Sequence, residues 1–308
     1  MWKFFIQQFV LGGISASICL LIIPLYLYAE KPITPQQCTM SAEEINRLIA
    51  EENIPQSQLQ LGKEYLSGIC VEKNEAKGVE LLRKVAEQGL PEGQMALGSL
   101  YFNGQGMTQD KEEGFKWYQK AAQQGLKEAQ YDLGGFYLNG WGIKKNEYLA
   151  IEWYEKAASQ GMTKAQMDLG NIYWYGISVQ ANREKAIQWF RKAAESNDGI
   201  AMSSLADVLL DGKGSNVERK EAVDLYLKAA QQGLAGVQFK LGRLYEQGRD
   251  VQRDYEKAYM WYTISEKWYH DFEDRKRNLA SLLSDAQKIE TENKAKEFLK
   301  LHPTQVVP

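Results

Sequence analysis

One interval governs this chain. Leu61, Leu97, Leu133, Leu169, Leu205 and Leu241 stand 36 residues apart, and Gly follows five of them, with Ala206 the exception. Four residues after each leucine come Tyr65, Tyr101, Tyr137, Tyr173, Leu209 and Tyr245. Three further on sit Gly68, Gly104, Gly140, Gly176, Gly212 and Gly248. A second series keeps the same time: Trp117-Tyr118, Trp153-Tyr154, Trp189-Phe190, Leu225-Tyr226 and Trp261-Tyr262. A period of this length marks a repeat architecture, in which each unit is too small to bury its own apolar face and stacks on its neighbours. Six copies fill residues 57 to 272.

Each unit reads as two helices. In the third, Ala129, Leu133, Phe136, Tyr137 and Gly140 fall at positions 1, 5, 8, 9 and 12, a helical stripe facing one way. The second helix is expected after Asn74, Asp110, Asn146, Asn182, Glu218 and Asp254, because a short polar side chain there accepts from an unpaired helix-start N–H. It is expected to stop at Gly89, Gly125, Gly161, Asn197 and Gly233, residues that tolerate the left-handed cap. Glycine pairs such as Gly140 and Gly142 serve as turns between helices. No strand precedes them, as a phosphate-binding loop requires.

Helix, Gly-x-Gly turn, helix, glycine stop: the pattern resembles the Sel-one-like repeat family, relatives of the tetratricopeptide repeats, over roughly 215 residues. "AQYDLGGFYLNGWGIKKNEYLAIEWYEKAASQGM" departs little from it. The resemblance implies an all-α, right-handed α-solenoid of six 36-residue repeats and a protein-binding adaptor role. Residues 30–56 read as a linker and N-terminal capping helix, with the Ser-x-x-Glu box of "SAEEINRLIAEEN". Residues 273–308, with "NLASLLSDAQKIETENKAKEFL", read as C-terminal capping helices and tail.

The first 29 residues are a separate object. No charged residue occurs from Phe4 to Ala29, and "FVLGGISASICLLIIPLYLY" approaches the length a membrane helix needs. Ala29 suits a cleavage site, whereas Leu27 two residues earlier does not. The expectation is a single-pass anchor through residues 4–29. Lys3 precedes the span, so in a bacterial chain residues 30–308 would face the periplasm from the inner membrane. Cleavage near Ala29 would instead give a soluble periplasmic or secreted protein.

Chemistry-bearing residues are few. Lys and Arg number 37 against 40 Asp and Glu, so the net charge of −3 gives no case for nucleic acid. His270 and His302 lack ligand-spaced partners, so no metal or cofactor is expected. Asp132 and Asp168 recur at one position of adjacent units and read as solvated helix flank. Cys38 precedes the 41–53 helix, and Cys70 follows the helix ending near Gly68. If those helices pair antiparallel, a Cys38–Cys70 disulfide would staple the cap to the first repeat. Free thiols in a reducing compartment are the alternative.

The face opposite the packing stripe carries the functional expectation. Position 3 of the first helices holds Met95, Tyr131 and Met167, and position 10 holds Phe102, Leu138 and Trp174. Asn171 and Asp207 lie between, at position 7. In helical-hairpin solenoids the first helices line the concave surface, so these residues predict an apolar groove for a protein or peptide. The competing reading is that neighbouring units bury them. A non-enzymatic scaffold at the cell envelope is the first functional expectation. An immunity protein neutralising a secreted lipase or wall hydrolase is the alternative, and a weak hydrolase the second alternative.

Overall fold

The structure is a computed structural model that describes residues 40–51, 53–211, 214–266 and 273–303. Among these residues it has fifteen helices and no strand. The repeats form successive helix pairs, the arrangement of an α-solenoid. The chain divides into two compact units, the boundary falling between Gln88 and Gly89.

The first unit contains α1 (Ala42–Ala50), α2 (Pro55–Ser67) and α3 (Glu75–Glu87). The Ser41 hydroxyl accepts from Glu44 N–H, and the Glu44 carboxylate accepts from Ser41 N–H at 2.8 Å, closing the capping box. Leu61, Leu81 and Leu82 are buried between α2 and α3. A Cβ on Gly62 would meet the Leu82 side chain at 2.9 Å, so glycine sets how closely the two helices approach. Cys70 is half-buried just beyond α2. Cys38 lies outside the described residues, and so does the pairing expected of it.

The second unit holds five helix pairs and the C-terminal cap. The pairs are α4 (Pro91–Asn103) with α5 (Lys111–Gln123), and α6 (Lys127–Asn139) with α7 (Glu147–Ser159). Then come α8 (Thr163–Tyr175) with α9 (Arg183–Ala194), α10 (Gly199–Leu209) with α11 (Asn216–Gln231), and α12 (Ala235–Gln247) with α13 (Tyr255–Ser265). α14 (Glu273–Ala280) and α15 (Asp285–Leu301) follow.

The turns repeat as closely as the sequence does. In the third unit Gly140 takes φ +71° and donates to Phe136 O, and Asn146 N–H then returns to Tyr137 O at 2.8 Å. The Asn146 side chain accepts from Leu149 N–H, starting the second helix. Asp110, Asn182 and Asp254 cap their helices in the same way. The fifth unit differs. Its second helix starts at Asn216, not after Glu218, because Ser215 caps it and Glu218 closes a capping box from the N3 position. A glutamate side chain is long enough to reach back to the cap N–H from that place within the first turn, and is not suited to the cap itself.

Leu97, Leu133, Leu169 and Leu241 are completely buried, and Ala129 and Ala165 beside them as well. Each such leucine contributes about 1.5–3 kcal/mol by burial. A polar ladder runs through the same interior. Gln94, Gln130, Gln166 and Gln238 are buried, and Gln130 donates to Ala122 O at 3.2 Å. Gln160, at the end of α7, donates to Gln130 Oε1 at 2.8 Å and to Gly125 O at 2.9 Å. Gln124 does the same to Gln94 Oε1 and Gly89 O, one repeat earlier. These amides tie the end of one repeat to its neighbour, with Ala122 O accepting from Gly125 N–H as well.

The single-pass inner-membrane localisation expected above is corrected. Among the described residues no helix is long and apolar enough to cross a membrane. The longest, α15 and α11, have 17 and 16 residues and are rich in charge, short of the roughly 20 apolar residues a span needs. Residues 4–29, which carried the membrane and periplasmic expectation, lie outside the described residues.

Candidate protein-binding face

The first helices of each pair bury one stripe and leave the opposite one at the surface. All eight residues expected on that face fall in the second unit. Met95, Phe102, Tyr131, Leu138, Met167, Asn171 and Trp174 are half-buried, and Asp207 is exposed. Five of the six apolar ones pack on a buried cluster. Phe102 lies 5.0 Å from the Phe136 ring and 5.9 Å from Trp141, with Lys111 Nζ 5.4 Å from its centroid. Met95 packs on the same cluster. Tyr131, Leu138 and Trp174 pack on the neighbouring one. Met95, Phe102, Tyr131, Leu138 and Trp174 therefore each show one flank to solvent and press the other into the repeat stack. Phe102 is held between two aromatic rings, which makes Phe102→Ser a stability change as well as a surface change.

Asp207 pairs with Lys240 of the next repeat, Nζ to Oδ2 2.6 Å, and accepts from Tyr226 Oη at 2.5 Å. It is thus an element of inter-repeat contact. Asn171 occupies the corresponding place one repeat earlier.

The acidic pair departs from the sequence expectation. Asp132 and Asp168 are half-buried, not solvated flank. Desolvation raises each carboxyl to about 6, opposed in part at Asp168 by the hydrogen bond from Tyr131 and then the positive charge of Lys164, and at Asp132 by Lys164. Tyr131 Oη donates to Asp168 Oδ2 at 2.9 Å, and the Tyr131 ring lies 5.4 Å from that of Tyr154. Burial and the nearby aspartates push both phenols well above their ordinary range. Sequence reasoning placed the aspartates from their own helix alone. The Tyr118 and Tyr154 register in the second helices was the signal that could have shown what covers them.

Among the described residues no group of three His, Cys, Asp or Glu is arranged to hold a metal ion.

The Sel1 repeat family model matches six consecutive segments, residues 55–90, 91–126, 127–162, 163–198, 199–234 and 235–265. A solved Sel1 repeat protein from Oxalobacter formigenes is 28% identical, with a TM-score of 0.61, over 74% of this chain and all of that one. A protective antigen of uropathogenic Escherichia coli strains, displaying an SLR fold, is 29% identical with a TM-score of 0.52. That match covers 82% of this chain but 62% of the antigen, so the chain spans less than two thirds of its length. An immunity protein from Pseudomonas aeruginosa matches at 21% identity and a TM-score of 0.41, over 82% of this chain and 89% of that one. A likeness at that level carries no argument about function. No curated protein matches the chain.

Proposed function

The chain belongs to the Sel1 repeat family, and from that membership we propose that it is a non-enzymatic scaffold binding a protein or peptide along the face of its first helices. Sel1 repeat proteins are protein-interaction scaffolds. The observation that carries the reading is the recurrence of large apolar side chains at positions 3 and 10 of α4, α6 and α8, each with one flank at the surface. A purely solvated helix face has no need of Met95, Tyr131, Met167, Leu138 and Trp174 in register. Contiguous apolar surface rimmed by polar groups is the usual mark of a protein contact. Half-burial suits this role, because side chains already held by packing lose little rotamer freedom on binding.

Crosslinked affinity capture tests the proposal, comparing wild type with a Met167→Glu/Trp174→Ser chain. A partner recovered from wild type should fall at least tenfold in yield with the double variant, while a Glu152→Ala control on α7 retains it. Equal capture by all three chains would contradict the assignment of the face.

A further inference from the structure

Tyrosine recurs in the second helices at Tyr118, Tyr154, Tyr226 and Tyr262, with Phe190 in the same register. Three of these hydroxyls are met by a side chain of the preceding first helix. Ser99 bonds Tyr118, Asp207 accepts from Tyr226 at 2.5 Å, and Glu246 accepts from Tyr262 at 2.6 Å. Tyr154 is the exception. The residue at position 7 above it is Gly135, where other repeats carry Lys63, Ser99, Asn171, Asp207 and Arg243. A Cβ built on Gly135 would meet nothing within 4 Å except Tyr154 Oη at 3.8 Å. The Tyr154 side chain as a whole is 5% exposed, and its hydroxyl makes no hydrogen bond among the described residues, Ser99, Asp207 and Glu246 having no counterpart above it. A hydroxyl left without a partner beneath an open notch has its oxygen lone pairs available to an incoming N–H.

Two carboxylates flank the notch. Asp132 and Asp168 both act electrostatically on Tyr154. Asp168 holds the Tyr131 hydroxyl, whereas Asp132 makes no hydrogen bond among the described residues. The titratable groups facing the pair are Tyr118, Tyr131, Tyr154, Glu128 and Lys164. Lys164 is the one base among them; it is exposed and forms no ion pair with either aspartate among the described residues. Over α4, α6 and α8 together, Glu92, Glu128, Asp132 and Asp168 outnumber Lys127 and Lys164. The face is acidic where its carboxylates are least solvated, and a desolvated carboxylate is stabilised most by a cation brought against it.

We propose that the notch over Gly135 seats a lysine or arginine side chain of the protein partner. Its cation lies between Asp132 and Asp168, with one N–H donated to Tyr154 Oη. Tyr131, Leu138, Met167 and Trp174 take the apolar residues beside it. The inference rests on the scaffold reading above and adds the chemistry of what that face selects.

The test is selection of random dodecapeptides displayed on phage against the full chain, with winners resynthesised and their affinities measured. Winners should share a Lys or Arg at one fixed place among apolar residues. Replacing that base by norleucine should weaken binding at least tenfold, as should Asp132→Asn/Asp168→Asn in the protein. Tyr154→Phe should weaken it several-fold. Binding of the basic peptides should also decline between pH 7 and pH 5 as the two carboxylates take up protons, while binding of the norleucine peptides stays level. Winners that are apolar with no recurrent base, or that bind the Asn double variant as well as wild type, would overturn the notch and leave the groove standing. No winners at all, or winners indifferent to Met167→Glu/Trp174→Ser, would remove the groove and the notch together.

Discussion

Asp132 sits half-buried with no direct cation, and its carboxyl is held near 6 against an ordinary 3.8. The folded state therefore binds a proton more tightly than the unfolded state does. This group works against stability as pH rises from about 4 to 6, and the full penalty stands above that window. Asp132→Asn removes the charge and keeps the shape, so it should stabilise the chain at pH 7 by roughly 1–2 kcal/mol. Thermal melts should show the gain at pH 7 shrinking towards zero near pH 4. A destabilised variant at pH 7 would mean that the carboxylate is engaged in a bond that Asn cannot replace. A group that lowers stability and stays in a partly open site is what a binding position looks like.

Between adjacent helices, two neighbouring glycines have opposite consequences. A Cβ on Gly134 would reach 2.7 Å from the Tyr154 ring, so Gly134→Ala must push α6 away from α7 and should cost about 2–3 kcal/mol. Gly135 has room, and Gly135→Ala should stabilise α6 by about 0.5–1 kcal/mol through helix propensity. Urea titrations of the two variants should move in opposite directions. Gln130→Leu should cost roughly 0.5–1.5 kcal/mol, because Ala122 O and Gln160 each lose one of two partners.

Period, helix pairs and most caps were legible because Leu133, Gly140 and Asn146 each owe their identity to local geometry. The glutamine ladder was not read, although Gln58, Gln94, Gln130, Gln166 and Gln238 keep the same 36-residue register. Glutamine reads as surface when a single helix is considered, and its role depends on a second glutamine 30 residues on. Asp132 and Asp168 were misplaced for the same reason, since the burying side chains come from other elements. The half-buried state of Phe102 is also a property of its contacts with Phe136 and Trp141 and not of its own helix face.

At the scale of the whole molecule, a stack of repeats needs its last apolar side covered. In the second unit α15 does this for α13. Trp261 lies 5.1 Å from Phe298, Tyr259 Oη donates to Glu292 at 2.8 Å, and Gln287 donates to Glu256 at 2.6 Å. Ala295 is buried beneath them. Removal of residues 284–308 should lower the melting temperature by several degrees and bring concentration-dependent aggregation, seen by light scattering. An unchanged melt and a monodisperse truncated chain would show that α13 needs no cover.

The central claim is that the first-helix face of α4, α6 and α8 is where a protein partner sits. Site-specific photocrosslinking addresses it most directly, with a photoreactive phenylalanine analogue at position 167 or 174 and, as comparison, at position 116 or 152 on the second helices. The account predicts discrete adducts to a protein partner from 167 and 174, and none from 116 or 152. Adducts confined to 116 and 152, or no adduct from any of the four, would contradict it.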